Sequence, residues 1–486
     1  MFRFASFLLL ASACSVDHTG LADPDFDGGP RVDGAVADTP TGVDAGMPDA
    51  IVRADIRISD GGPDIPLPTD CEVFVSTRGD DGNDGRSAAT SLRNIKSALE
   101  LSPAVICVEE GDYDTEITIS TSLRLRGSFC EGFGSQSDTC RSQILSSQPW
   151  AVLVQGAGRP NVEIEAFHIE SGEGREGGSS YGVRVIDSDL TLTDVSILAK
   201  DGADGRDGMA GAAGASGNNG DDGLEGRGGG ARCGAGGAGG NVVLVGLDRG
   251  PKPGSDAPGA SGEFGRGGAI GANGENGTNG ADASSEPVAP GLGGTGSGFL
   301  TSEARYLPVE GDAGETGRAG FGGGGGGAAT RSNGRYGGGG GGGGCGGPGG
   351  EGGRGGGGSF GIVAIGSALF FDRVAIEVGN GGDGGDGAAG NAGGQGGQGG
   401  EGASLALFDP EVRGGNGGRG GAAGSGGVGG GGAGGPSVGV VLSASPDPVG
   451  RFDTTPGRGG NGGNAGGGMS MGAVGTTGER LTLSVR

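Results

Sequence analysis

The chain has 486 residues, of which 129 are glycine, and its formal net charge is −26. Only 33% of the residues are hydrophobic and 4% are aromatic, so an ordinary apolar core cannot extend along the whole chain. The negative charge repels phosphate backbones, which argues against nucleic acid as a partner. The chain must therefore be partly disordered or pack backbone against backbone.

The first fourteen residues have the pattern of an export signal. Arg3 precedes a short apolar run, Phe7 to Leu10, which is too short to cross a membrane as a helix but suits a signal peptide. The ending LASAC resembles a bacterial lipobox, in which the cysteine is acylated. This resemblance implies a lipid anchor on Cys14 and a place in the cell envelope, as an outer-membrane lipoprotein or an extracellular protein. A plain secretory signal is the alternative.

Residues 15–68 mix Pro, Gly, Asp and Ala without apolar periodicity. This is the composition of a disordered linker, and it contains one of the two histidines, His18. An acidic tether after an acylated cysteine would hold a folded domain away from a membrane.

Residues 69–200 have a different composition, with short β-branched runs separated by turn residues. A first strand is expected over Glu72 to Val75. A short amphipathic helix is expected over Ser91 to Leu99, where Leu92, Ile95 and Leu99 have helical spacing. Many short strands without long helices indicate a sandwich or a β-solenoid.

The segments VFVSTRGDDGNDGRSAATSLRNIKSALE, VICVEEGDYDTEITI and LRLRGSF resemble the opening of right-handed parallel β-helices of the pectin-lyase-like superfamily. The resemblance implies an all-β, right-handed parallel β-helix with a capping helix. Lyases of this kind need calcium-binding carboxylates and a base. The candidates are Arg184, Asp187, Asp189 and Asp194, but no paired motif with a dedicated base accompanies them, and we interpret the acids as turn residues.

Two further polar features of this region are candidates for sites. His168 alternates with Phe167 and Ile169 in a strand pattern and is interpreted as structural. The acidic loop with Asp80, Asp81 and Asp84 is a candidate for weak calcium binding, and a solvated turn is the alternative. No other cofactor is expected.

Glycine recurs at every third position from Gly202 to Gly226, and the rhythm returns in stretches as far as Gly466. A period of three matches the polyproline-II helix, which has three residues per turn and no internal hydrogen bonds. Proline, which collagen requires, is almost absent from these tracts. We expect polyglycine-II-like insertions whose backbones bond to one another, and a disordered linker is the open alternative.

The glycine-rich tracts resemble the PGRS-type repeats of bacterial cell-surface proteins over about 201–475, although the PE module of that family is absent. This resemblance implies a surface location. A longer repeat aligns Gly182 with Gly361 and Gly439. An apolar residue lies 13 residues after each of these glycines (Val195, Val374, Phe452). A new glycine-rich tract begins 20 residues after each of them (Gly202, Gly381, Gly459).

This alignment predicts a β-solenoid whose coils are interrupted by glycine-rich insertions. The glycine-rich region would extend over 201–486, with short strands near 241–247, 360–378, 404–408, 437–454 and 480–485.

Seven cysteines are present, and six remain when Cys14 is set aside. An even number in an exported chain favours disulfides. Cys130 pairs most locally with Cys140, Cys71 and Cys107 lie beside strands next to the helix, and Cys233 and Cys345 then remain for each other. Other connectivities stay open.

Together these features predict a non-enzymatic surface lipoprotein that acts as a structural, adhesion or display module. Its partners would be the membrane, through the anchor, and a surface polysaccharide or another cell-surface protein. A polysaccharide lyase or carbohydrate-binding β-helix is the alternative. Ice or water-surface binding is a second alternative, because flat polyglycine-II faces can order water.

Overall fold

The computed structural model describes residues 70–222, 233, 235–238, 242–245, 248–251, 275–283, 288–328, 337–404, 413–467 and 471–486. Cys14, His18, the predicted linker and most of the strand predicted near 404–408 lie outside the described residues. The regular secondary structure of the described residues is almost entirely β, and most of the strands stack in parallel as the coils of a β-helix.

The strands follow one another along the chain with few helical elements between them. The first ten are β1 (Val73–Val75), β2 (Val105–Glu109), β3 (Gly111–Asp114), β4 (Ile117–Ile119), β5 (Leu123–Phe129), β6 (Ser142–Leu145), β7 (Trp150–Gln155), β8 (Asn161–Glu165), β9 (Phe167–Glu170) and β10 (Ser180–Ile186). The others are β11 (Asp189–Ala199), β12 (Val242–Val245), β13 (Asp248–Pro251), β14 (Phe299–Leu300), β15 (Tyr306–Leu307), β16 (Ser359–Ile365), β17 (Ala368–Val378), β18 (Ser437–Ser443), β19 (Val449–Thr455) and β20 (Thr477–Thr482). The helical elements are α1 (Ile95–Glu100) and two 3-10 turns, Ala88–Thr90 and Glu131–Phe133.

Two parallel sheets form the wall of the β-helix. The first contains β1, β2, β5, β8, β11, β17 and β19, and the short strands β3, β6 and β9 continue it beside the second half of β11. The second sheet has the order β20-β18-β16-β10-β7-β4. Early coils cross the first sheet with two short strands, and later coils use one long strand. The long strands bend at a residue with positive φ, Asp194 (54°) in β11 and Arg373 (53°) in β17.

The interior of the coils is filled by alternate Val, Ile and Leu side chains, as expected when one face of each strand is buried. Helix α1 covers the N-terminal end of this core with Ile95 and Ala98, which are both fully buried. The predicted helix is wrong at its start, because Leu92 forms an extended bridge with Val75 and donates its N–H to Phe74. The helix therefore begins only at Ile95.

The predicted alignment of the three long repeats is confirmed by the strand register. Val195 pairs with Val374, and Val374 pairs with Phe452. In the second sheet Val183 pairs with Ile362, which pairs with Val440. Residues 179 apart in sequence are therefore neighbours in space, because a long glycine-rich excursion separates consecutive coils.

Six described glycine-rich tracts extend from these coils. Tract I is 201–222, tract II is 309–328, tract III is 337–358, tract IV is 379–402, tract V is 413–436 and tract VI is 457–467. Tracts I, IV and VI follow β11, β17 and β19, whereas tracts III and V lead into β16 and β18. The sheet register continues into the tracts: the side chain of Asp204 accepts the N–H of Asp383, and Asp383 accepts that of Asn461.

Tract III lies inside the group of tracts. Its consecutive N–H groups donate to three different neighbours in turn: Gly338 to tract V, Gly339 to tract I and Gly340 to Gly237. Its carbonyl groups accept from tracts II and IV, as in the bonds from Gly323 to Gly341 and from Gly397 to Gly342. We call the assembly of tracts the glycine bundle.

The glycine content of a tract follows its surroundings. In tract I glycine occupies every third position, and the two residues between are mostly exposed. Much of tract IV has two glycines in three, with the third residue exposed. Residues 337–344 in the centre are all glycine and all buried. Glycine therefore stands where a side chain would meet a neighbouring backbone, and other residues stand where the tract faces solvent.

A hairpin joins the bundle to the β-helix. Strands β14 and β15 form an antiparallel pair, and in sequence they lie between residues 288–297 and tract II. They cover the outer face of the second sheet. Leu300 is fully buried there with Phe360, and Tyr306 donates its N–H to the Tyr181 hydroxyl at 2.7 Å. We call residues 298–308 the strap.

Three disulfides are present: Cys71–Cys107, Cys130–Cys140 and Cys233–Cys345. They are the same pairs that the sequence favoured. The last of them joins tract III to a segment 112 residues away in sequence. Among the described residues, no helix has the length and apolar character needed to cross a membrane.

The packing of the bundle predicts a sharp difference between two glycines of tract V. A Cβ at Gly421 would overlap the carbonyl group of Ala281, whereas the nearest atom to a Cβ at Gly424 is 3.6 Å away. Gly421→Ala should therefore lower the free energy of unfolding by about 1–3 kcal/mol. Gly424→Ala should change it by no more than about 0.5 kcal/mol.

The measurement is urea unfolding of the oxidised protein, with hydrogen exchange of the tract V amides as a second readout. Equal effects of the two substitutions would contradict backbone packing in this tract.

Candidate functional site

The acidic loop after β1 uses its carboxylates to hold its own backbone. Asp81 accepts the N–H groups of Arg93 and Asn94, each at 3.0 Å. Asp80 accepts the N–H of Gly82, and Asp84 accepts the Thr90 hydroxyl at 2.7 Å. Partial burial opposes ionisation of Asp81, but these hydrogen bonds outweigh it and lower its pKa. In the described part of the chain, no three His, Cys, Asp or Glu residues are grouped as metal ligands.

Arg184 lies on the outer face of the second sheet, beneath the strap. It is 4% exposed, its guanidinium carbon is 5.2 Å from the centre of the Trp150 ring, and Nη1 donates to the Glu303 carbonyl. Within the described residues its Nε has no hydrogen-bond partner. Burial lowers the pKa of Arg184. A side chain enclosed in this way stacks on aromatic rings and is not presented to a substrate on the sheet surface.

The three candidate aspartates each have a separate place. Asp187 occupies a corner between the two sheets with a φ of 47°, the left-handed region that turn residues favour. Asp189 pairs with Arg159 at 2.8 Å, and this neighbour lowers its pKa. Asp194 forms a two-pronged ion pair with Arg373 across the bend of the long strands. Turn and ion-pair roles therefore account for all three residues.

His168 belongs to a polar row on the outside of the first sheet. Its Nδ1 is 2.8 Å from the Ser196 hydroxyl on the adjacent strand, and Nε2 is 3.6 Å from Glu170. Lys200 pairs with Glu170 at 2.7 Å. The His168 ring and the Lys200 ammonium together lower the pKa of Glu170 to about 2. The sequence indicated the strand position of His168, with Glu170 two residues along the same strand, but not the contacts with Ser196 and Lys200, which come from the next coil.

The glycine bundle carries the most regular polar surface of the described chain. Asp and Asn side chains of one tract accept the backbone N–H of the residue beside them in the next tract. The pairs across tracts I and IV are Asp201–Asn380, Asp204–Asp383, Asp207–Asp386, Asn219–Gln398 and Asp222–Glu401. Those across tracts IV and VI are Asn380–Arg458, Asp383–Asn461 and Asp386–Asn464. These rows fix the carboxylates and amides on a rigid backbone.

Sequence reasoning missed these rows, although the signal was present. The repeated Gly-Gly-Asp of 381–386 puts an acceptor at every third position, on the side of the tract that faces solvent. Between two of the rows lies a groove of about 310 Å³, lined by Asn380 and Arg458 on one side and by Asp383 and Asn461 on the other. The glycine backbone of tracts IV and VI forms its floor.

These features define the class of the molecule as a parallel β-helix protein with a glycine-rich bundle. No family model matches the chain, and no curated protein matches it.

Solved structures with a similar fold include the pectin methylesterase PemA from Erwinia chrysanthemi, at 15% identity and a TM-score of 0.21, over 28% of this chain and 47% of that chain. A mutant pectin methylesterase bound to a hexasaccharide gives the same values. The pectin methylesterase from Aspergillus niger matches at 15% identity and a TM-score of 0.20, over 29% of this chain and 54% of that one. The match spans about half of these enzymes, and the likeness is one of fold alone.

The environment of Glu170 predicts a pH dependence of stability. Its pKa of about 2 in the folded protein lies below its ordinary value of 4.5, so the ionised form stabilises the fold above pH 4.5. This stabilisation is lost as the pH falls from 4.5 towards 2. Glu170→Gln should therefore lower the free energy of unfolding at pH 7. We expect a loss of roughly 1–3 kcal/mol, because solvent around the partly exposed carboxylate weakens its ion pairs.

Denaturant unfolding of both proteins between pH 7 and pH 2 checks this expectation, and the two curves should meet at the acidic end. The exposed Glu173 provides the control, because Glu173→Gln should leave stability unchanged at every pH. A difference at Glu170 that does not shrink with acidification would show that its charge is not responsible.

Proposed function

We propose that the protein is a non-enzymatic module of the cell envelope, exported and lipid-anchored through Cys14, that displays or adheres through a rigid glycine-rich scaffold. In this proposal the tracts are polyglycine-II helices inserted between the coils of a right-handed β-helix, and residues 15–68 are a disordered tether. The observation that carries the proposal is the arrangement of the bundle, with glycine inside and fixed polar rows outside.

The bundle has the properties of a scaffold. Its tracts bond to several neighbours at once through main-chain groups, so each tract is held along its length. Three disulfides add covalent restraints of the kind that persist in oxidising compartments. The β-helix register passes unchanged into the tracts, so the outer rows stand in fixed positions relative to the coils.

The exposed side chains have the properties of a contact surface. The acidic and amide residues that form the rows of tracts I, IV and VI recur at multiples of three residues and face solvent. A net charge of −26 keeps such a surface soluble and repels anionic neighbours. A cell-surface polysaccharide or another envelope protein is the kind of partner that suits this surface.

The anchor is tested by expressing the full chain in a Gram-negative host. We expect incorporation of labelled fatty acid, recovery in the membrane fraction and digestion by protease added to intact cells. Cys14→Ser should abolish the label and release the protein into a soluble fraction, while the disulfides still form. Recovery of the unlabelled wild-type chain in the cytoplasm would overturn the proposal.

The competing function, a polysaccharide lyase, makes a different prediction. We expect the purified protein to leave polygalacturonate and its methyl ester intact, because Arg184 is enclosed by aromatic rings and the strap. Release of unsaturated products or of methanol, lost in both Arg184→Met and Asp187→Asn variants that remain folded, would establish an enzyme instead.

A further inference from the structure

The groove between the rows of tracts IV and VI differs from the rest of the bundle surface. It combines a cation, a carboxylate and two amides: Arg458, Asp383, Asn380 and Asn461. Within the described residues, Arg458 has no carboxylate at ion-pair distance, although the chain as a whole is strongly acidic. The groove therefore has no net charge on a surface that otherwise repels anions.

The polar atoms of the groove are held in place by the main chain. The Asn380 side-chain oxygen accepts the Arg458 N–H at 3.0 Å, and Asp383 accepts the Asn461 N–H at 2.6 Å. The Asn461 amide also donates to both oxygens of Asp383, at 3.2 and 3.3 Å. The Arg458 guanidinium and the side-chain oxygen of Asn461 are left to meet a ligand, so the groove offers donors on one wall and acceptors on the other.

The lining limits the chemistry of a ligand. No apolar side chain lines the groove, so burial of hydrophobic surface cannot drive binding there. Its two walls are three residues apart along extended tracts, or about 9 Å at about 3.1 Å per residue. A flat glycine floor between planar polar side chains matches a ring that carries adjacent hydroxyl groups, each able to accept from Arg458 and donate to Asp383.

We propose that this groove binds neutral sugar rings of a polysaccharide. This inference rests on the proposed adhesion function and names its ligand class and its place, which is the start of tracts IV and VI, directly after β17 and β19. Acidic sugars are disfavoured because the carboxylates of the neighbouring rows would repel them; these are Asp201, Asp204, Asp207 and Asp386. A single ring held only by polar contacts binds weakly, with a dissociation constant on the order of 1 mM.

The test uses the full oxidised chain and saturation-transfer NMR titrations with cellohexaose, chitohexaose and maltohexaose. At least one of them should bind to the wild type, and Arg458→Ala/Asn461→Ala should weaken binding on the order of tenfold or more, because it removes the donors and the free acceptor. Asn464→Ala is the matched control. It removes the same amide-to-carboxylate bond one row further along tract VI, and it should change binding less than about twofold.

Three results would overturn the inference: no binding of any neutral hexasaccharide, equal binding by the double variant, or binding of hexagalacturonate in preference to the neutral sugars. The double variant should keep the wild-type unfolding curve, since Arg458 and Asn461 are exposed. If the chain is lipid-anchored and accessible to protease but binds no sugar, the proposal of sugar binding is wrong and the proposal of an envelope module still holds.

Discussion

The structure depends on the absence of a Cβ atom. Where tracts run side by side at hydrogen-bond distance, a methyl group on a buried glycine would occupy the space of a neighbouring carbonyl oxygen, as at Gly341 against Gly397. Main-chain hydrogen bonds then take the place of a side-chain interior. Glycine is the residue that loses most conformational freedom on folding, so the bundle needs restraints from outside itself.

The β-helix supplies those restraints. Each tract that follows a strand begins in the register that the strand has already fixed, and the offset of 179 residues between β11 and β17 is retained from Asp201–Asn380 to Asp222–Glu401. The strap adds a second connection, in which chain from the bundle packs on the sheet face. The two parts of the molecule are therefore one hydrogen-bonded system, and side chains on the bundle stand in a geometry that the coils determine.

Much of this arrangement follows from the sequence. Alternation of apolar residues predicts the coils, and the spacing of Gly182, Gly361 and Gly439 predicts which strands are neighbours. The period of three predicts tracts that could pack by their backbones. The start of α1 was wrong because Leu92, apolar and in helical phase with Ile95, serves instead as an extended core residue opposite Val75. Local periodicity cannot distinguish these two uses of one leucine.

The contacts that the sequence did not reveal are those set by the path of the insertions. Asp194 meets Arg373 only because the chain returns to the next coil after tracts I, II and III, and Arg184 is enclosed only because the strap returns to the sheet. Within the tracts the sequence is too uniform to say which neighbour each one takes. Such pairings depend on the whole topology. The repeated Gly-Gly-Asp of 381–386 marks acceptors at every third position, but it does not say which backbone they meet, so the groove could not be predicted.

The constant offset between tracts I and IV also limits how this protein can vary in length. Adding one residue to a tract would rotate everything beyond it by a third of a turn, which would turn side chains such as Asp207 towards the interior and glycines towards solvent. Only an insertion or deletion of three residues keeps each side chain on the same side of its tract. The neighbouring tracts must change by the same three residues to keep their hydrogen bonds in register. Natural variants should therefore gain or lose whole triplets in concert, one layer of the bundle at a time.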